Sequence, residues 1–192
     1  PCLMEDLATT WALGVGVPSG APIWQAKAEK RKKILGAAKK WNPTPALGTP
    51  PEEVAEPFTV MLWGITTEKV QDWLKGAAVV PSEVTELKGF ASSAGIVEGK
   101  VRVVKLLEEI TKVEQGDILV CPTTNPAWAP IFTKIKASIT DIGGITSHAA
   151  IVCREYGVPA VTGTGFATSV LKTGDTVKVD GNTGIVKIVK RA

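Results

Sequence analysis

The sequence predicts an α/β domain preceded by a helical arm rich in proline and tryptophan. Three observations carry this. From residue 87 onward, short β-branched runs punctuated by glycine alternate with short helical stretches, the pattern of a layered α/β domain. Before that, residues 42–57 (NPTPALGTPPEEVAEP) hold five prolines, the composition of a linker or an extended arm. Five of the six tryptophans, Trp11, Trp24, Trp41, Trp63 and Trp73, lie before residue 75, as anchors would. The chain therefore divides into an arm at 1–86 and a folded domain at 87–192. Its 192 residues, 44% hydrophobic and 21% charged, suffice for a core without staples and exclude disorder, collagen or coiled coil for the chain as a whole.

The elements follow in order. Residues 3–13 suit a short helix closed by VGVPSGAP. Residues 27–40 (KAEKRKKILGAAKK) read as an exposed helix whose basic run is a solvated face. Residues 58–63 (FTVMLW) read as a short buried strand or a helix start. Thr66 or Thr67 caps a helix that stops at Gly76. GFASSAGIVEGKVRVV reads as strands joined by turns, GDILVCP as a strand, residues 125–136 as a short helix and ASITDI as a strand ending at Gly143-Gly144. Residues 147–156 form a helix closed by Gly157, and PAVTGTG is a strand running into a loop. A helical turn and a hairpin with the turn DGNTG close the chain.

Charge and cysteine content limit the function classes. The net charge is +3, too small on its own to imply nucleic acid or a membrane surface. The surplus lies in residues 88–192, with 13 basic against 9 acidic groups, which suits phosphorylated partners. Three cysteines, Cys2, Cys121 and Cys153, form no CxxC pair, so neither a disulfide framework nor a zinc ribbon is expected and a cytoplasmic setting is. No apolar run is long enough to cross a membrane. The chain opens Pro-Cys-Leu and reads as a piece of a longer protein or a processed chain. It holds one histidine, His148, so chemistry that needs an imidazole must use it.

The informative stretch is residues 139–165, ITDIGGITSHAAIVCREYGVPAVTGTG. A strand ends in Gly143 and Gly144, whose backbone turns tightly and leaves its N–H groups open. Thr146 and Ser147 follow, both able to cap a helix or exchange hydrogen bonds. His148 then falls in the first turn of a helix, where unpaired N–H groups and the helix dipole favour an anion. A histidine on an anion site makes sense if the imidazole itself carries a phosphoryl group, splitting one difficult transfer into two easier ones. A proton-only role as general base is the rival, disfavoured on the expectation that an anion site favours the charged imidazolium. A metal site is poorer still, with no second histidine and no cysteine or carboxylate cluster nearby.

This segment resembles the phosphohistidine site of the PEP-utilising enzymes, among them pyruvate phosphate dikinase, phosphoenolpyruvate synthase, enzyme I of the sugar phosphotransferase system, rifampin phosphotransferase and phenylphosphate synthase. The pattern runs from Gly143 through Thr146 and His148 to Arg154, and GFASSAGIVEGKV, DILVCPTTNPAW and GVPAVTGTG support it on both sides. Two positions depart: Cys153 stands where a smaller residue is usual, and Ile145 where many members carry Arg. The resemblance implies a swivelling β/β/α domain that ferries phosphate between two active sites. It implies His148 as the phosphorylated nucleophile, Thr146 as orienting the ring or bonding the phosphate, Gly143 and Gly144 as the turn beneath it, and Ser147 beside them. Thr123, Thr124, Asn125 and Trp128, in a loop after a strand end, are candidates for a partner-facing surface, as is Arg154, for which a surface or ion-pairing role is the simpler reading.

The resemblance further implies a carrier that is inactive alone. No cofactor or metal is expected on this chain. ATP and Mg²⁺ are expected on an ATP-grasp partner domain or subunit, and a separate domain is expected to bind the acceptor. Phenol, as in phenylphosphate synthase, and pyruvate, as in phosphoenolpyruvate synthase, are the candidate acceptors, and PEP is the alternative donor. The competing class is a non-catalytic docking module of the same fold.

Overall fold

The computed structural model describes residues 22–40, 49, 51–74 and 83–192. The expected helix at 3–13, Trp11, Trp41 and the stop at Gly76 lie outside them, as do the side chains of Trp24 and Trp73. The chain forms two compact units, residues 1–48 and 49–192. In the first, α1 spans Pro22–Lys40. It begins earlier than the charge pattern suggests, at a proline that suits a first helical turn. Its side chains from 26 to 38 are exposed or half-exposed.

The second unit is built on eight strands: β1 (Glu86–Lys88), β2 (Phe90–Ser93), β3 (Ile96–Val103), β4 (Ile118–Cys121), β5 (Ala137–Thr140), β6 (Ala160–Thr162), β7 (Thr176–Asp180) and β8 (Ile185–Lys190). Their spatial order is β1-β8-β7-β3-β4-β5-β6-β2. β3, β4, β5 and β6 run parallel to one another. β7, β8 and β1 extend the sheet antiparallel beyond β3, and β2 closes it antiparallel on β6. β3 joins the two halves, pairing with β7 through residues 96–100 and with β4 through residues 101–103. Only Gly89 separates β1 from β2, which lie at opposite ends of the order, so the sheet curls until its edges meet. A Cβ at Gly89 would collide with the Thr162 carbonyl oxygen, so the join admits no side chain.

Strand alternation sends consecutive residues of β4 to opposite sides. Ile118 and Val120 join Val101, Ile139, Val177 and Val179 in one core cluster. Leu119 and Cys121 face the other, with Trp128, Phe132 and Cys153. Among the described residues this unit holds the α-helices α2 (Thr67–Leu74), α3 (His148–Tyr156) and α4 (Ala167–Val170). The buried face of α3, Ala149, Ala150 and Cys153, packs on β2, β6 and β5. Gly157, with φ of 67°, closes α3 by donating to Arg154 O and Cys153 O.

Three segments differ from the sequence reading. Residues 126–131 form a 3₁₀ turn rather than a helix to 136: Asn125 Oδ1 accepts from Ala127 N at 3.0 Å, and Pro130 inside the turn has no N–H to give. A second 3₁₀ turn, Leu107–Lys112, has no counterpart in that reading. Residues 58–63 take the helical one of the two forms the sequence left open, not the strand, and they are not buried. Thr59–Trp63 make a single π-helical turn closed by Gly64 in the left-handed region, and Phe58 and Trp63 are 74% and 55% exposed. The DGNTG hairpin turn is as expected, with Gly184 at φ 74° and Asp180 Oδ1 accepting from Asn182 N at 2.9 Å.

Candidate functional site

The site lies where the parallel strands end. Loops leave the carboxyl ends of β4, β5 and β6 and converge, the place where open α/β sheets put ligand sites. After β4 the chain runs Pro122, Thr123, Thr124. After β5 it runs through Asp141, Gly143 and Gly144 into α3. After β6 it turns at Gly163 and Gly165, both with positive φ. Main-chain bonds tie the loops together: Asp141 N donates to Cys121 O at 3.1 Å, Thr164 N to Thr140 O at 3.0 Å and Gly165 N to Asp141 O at 2.8 Å.

His148 is the first residue of α3, half-buried, with Ser147 as N-cap. Its Nδ1 lies 2.9 Å from Thr124 Oγ1, and Phe132 packs against the ring edge-on with centroids 6.2 Å apart. Among the described residues, its Nε2 makes no hydrogen bond. Burial lowers the pKa of His148 below its usual value. A positive helix end acts in the same direction, because it disfavours a cation. Burial and the helix end both work against the charged imidazolium expected of an anion site, and a neutral ring keeps the nitrogen lone pair that a nucleophile or a general base needs.

Thr124, placed among the partner-facing candidates, is buried and holds the histidine ring. Trp128 is 4% exposed and belongs to the core. Asn125 is exposed and spends its side chain on the 3₁₀ turn, while Thr123 is exposed. Arg154 makes neither an ion pair nor an outward contact among the described residues. Its Nη1 donates to Ser92 O at 2.9 Å and Ile145 O at 2.8 Å, pinning the histidine loop to β2. Ser147 Oγ is buried without a partner among the described residues and lies beside Gly143. Cys121 and Cys153 are buried, and burial pushes both thiols up, away from reactivity.

The loop's own amides are already engaged. Gly143 N donates to Trp63 O at 3.1 Å, Gly144 N to Leu62 O at 2.9 Å and Thr146 N to Met61 O at 3.0 Å. The Thr146 hydroxyl donates to the same Met61 O at 2.9 Å. A Cβ at Gly144 would collide with Met61 O, so this glycine makes room for a neighbouring chain. Gly143, at φ 129°, makes the turn itself. The N–H groups of His148, Ala149 and Ala150, by contrast, have no backbone partner among the described residues, which leaves the helix start open to an anion.

Sequence reasoning missed three contributors. Met61–Trp63 act through their carbonyls, which leave no mark on residue type. Lys69, on α2, reaches Gly163 O and, at 3.1 Å, Gly64 O, and burial lowers its pKa. Asp141 accepts from Thr168 N at 3.0 Å and from the Thr168 hydroxyl, and burial raises its pKa. The sequence signal for Asp141 was its place at a strand end immediately before the glycine pair.

Fold and loop together define a small α/β domain that presents one histidine on a strand-end loop. Residues 113–184 match the family described as PEP-utilising enzyme, mobile domain, and this part of the chain is such a domain. Over 170 residues the chain is 39% identical to an uncharacterized phosphotransferase YvkC of Bacillus subtilis, covering 88% of this chain and 19% of that protein. It is 56% identical over 100 residues to a probable phosphoenolpyruvate synthase of Archaeoglobus fulgidus, covering 52% and 13%. To the phosphoenolpyruvate synthase of Aeropyrum pernix it is 42% identical over 143 residues, covering 72% and 17%. The chain thus spans less than a fifth of each of these relatives. A solution structure of an Enzyme I (nEIt) protein is 35% identical with a TM-score of 0.38, over 42% of this chain and 33% of that one.

Proposed function

We propose that the domain carries a phosphoryl group on Nε2 of His148 between a donor site and an acceptor site held by other domains. The contact between Thr124 Oγ1 and His148 Nδ1 supports this reading most directly. With the Nδ1 proton donated to that hydroxyl, the lone pair sits on Nε2, the nitrogen with no protein partner. Nε2 attacks phosphorus, a P–N bond forms, and the P–O bond to the donor breaks, its electron pair leaving with the donor oxygen. The second transfer reverses the exchange: the acceptor oxygen attacks, and the P–N bond pair returns to Nε2. The open amides of the first turn of α3 and the unspent Ser147 hydroxyl are available to the phosphoryl oxygens, and the Gly143, Gly144 and Thr146 donors join them only where the Met61–Trp63 carbonyls do not hold them.

The donor we favour is ATP on an ATP-grasp partner, with PEP as the alternative. Mg²⁺ is assigned to that partner together with the nucleotide, whose phosphates it accompanies in phosphoryl transfer. Pyruvate is the preferred acceptor, since relatives bear the name phosphoenolpyruvate synthase. Phenol is the alternative. The test is intact mass after incubation with the partner domain, Mg²⁺ and ATP. An acid-labile gain of one phosphoryl group, absent in a folded His148→Ala, is expected. No gain with an active partner, tested with ATP and with PEP, returns the domain to the docking-module reading.

A further inference from the structure

The Thr59–Trp63 turn takes donors that an anion at this loop would use. Three of its carbonyl oxygens, on Met61, Leu62 and Trp63, accept from three amides and one hydroxyl of the Gly143–Thr146 loop. Carbonyl oxygens carry partial negative charge, so the turn presents to the loop the kind of surface a phosphoryl group presents. An N–H committed to a carbonyl at 2.9–3.1 Å has no second bond to give.

The turn is attached by its backbone more than by its side chains. Met61, Leu62 and Trp63 are 41%, 39% and 55% exposed, so little apolar burial secures them. The internal bonds are few: Gly64 N to Val60 O at 3.0 Å, Ile65 N to Thr59 O at 3.3 Å, and a cap from the Glu56 carboxylate to Phe58 N and the Thr59 hydroxyl. The cap bonds are exposed, so water competes for them and each contributes little net. A single π-helical turn held this way is a segment that detaches without disturbing the sheet.

We propose that Thr59–Trp63 is a detachable cover on the histidine loop, and that its docking and the binding of a phosphoryl group by the Gly143, Gly144 and Thr146 donors exclude each other. The inference rests on the carrier reading of His148. By linkage, phosphorylation of His148 loosens the cover to the same degree that the cover opposes phosphorylation. Lys69 is the latch, joining Gly163 O to Gly64 O at the turn's exit.

The test uses the full 192-residue chain and phosphoramidate, a small donor that phosphorylates histidine without a partner enzyme. Scalar couplings across the hydrogen bonds report the three pairs Gly143–Trp63, Gly144–Leu62 and Thr146–Met61 directly. They are expected in the unmodified chain and lost in the phosphorylated one. Couplings that survive phosphorylation, or that are missing beforehand, overturn the cover. Gly64→Val provides an independent arm. Gly64 has φ of 69°, and a Cβ there meets Gly143 O at 2.7 Å and the Phe90 ring at 2.9 Å, so the variant unseats the turn. Labelling of His148 in a folded Gly64→Val is expected to be about tenfold faster, within the usual range of coupling between sites. An unchanged or slower rate counts against the cover, and the couplings decide the matter if the variant does not fold. Absence of labelling in both chains overturns the carrier reading instead, and the cover's function falls with it.

Discussion

The two halves of the sheet have different tasks, and their burial shows it. In the parallel half, β4, β5 and β6 are buried at every position. In the antiparallel half, β7 alternates between buried Val177 and Val179 and exposed Lys178, and β8 ends in exposed residues. Parallel strands are covered on both faces, and antiparallel ones can leave a face to water. All the chemistry collects at the carboxyl ends of the parallel half. The opposite ends of those strands carry ordinary ion pairs, such as Arg102 with Asp117 at 2.8 Å. A rigid, fully buried half therefore holds the reactive loop, and the solvated half closes the barrel around it.

This comparison can be broken at several points. The largest effect is expected from Ile139→Ala on β5. Its side chain is fully buried, and the truncation should cost about 2–5 kcal/mol, read by urea denaturation. A cost below about 1 kcal/mol would mean that the parallel half is not the rigid support argued here. Next comes Thr124→Val, which keeps the shape and removes the hydroxyl from Nδ1. One hydrogen bond of about 1 kcal/mol corresponds to roughly fivefold slower labelling of His148. Thr124→Ser should restore the rate, and a Val variant as fast as the parent would remove Thr124 from the ring's positioning.

The titration of His148 sharpens the same point. Its folded pKa lies below the usual 6.5 because burial disfavours the cation. Labelling should therefore be level at neutral pH and fall only as acid passes that lowered value. The sign for stability follows: below about 6.5 the unfolded chain takes up the proton first, so stability declines as pH falls from about 6.5 to the folded pKa and is level above 6.5 and again below the folded pKa. Ring chemical shifts against pH provide the check, and a midpoint at or above 6.5 would contradict the burial argument. The smallest effect is expected from Lys178→Ala, on the solvated face of β7, with stability unchanged to within about 0.5 kcal/mol.

Much of the parallel half was legible. The runs ILVC and ASIT mark buried strands because residues covered on both faces must be apolar or small. The glycine pair, Thr146 and His148 mark the loop because tight turns and helix starts demand those residue types. The roles of Thr124 and Trp128 were not legible. Their loop looks like a binding surface, yet Thr124 turns inward to the ring and Trp128 fills the second core cluster. Nothing in local sequence says which way a loop side chain points.

The sequence by itself determined the mixed α/β class, the strand-end loop, the single histidine at a helix start and the likeness that the family match upholds. Those features are encoded by residue type and local spacing. Packing in three dimensions brings the sheet's edges together at Gly89, disfavours charge on His148 and turns Thr124 to its ring. It alone decided that the carbonyls of Met61–Trp63, some eighty residues upstream, occupy the loop's amides. Backbone acceptors are the same for every residue, so a contact made through them leaves no trace in the sequence and is fixed only by the packing that brings the two segments together.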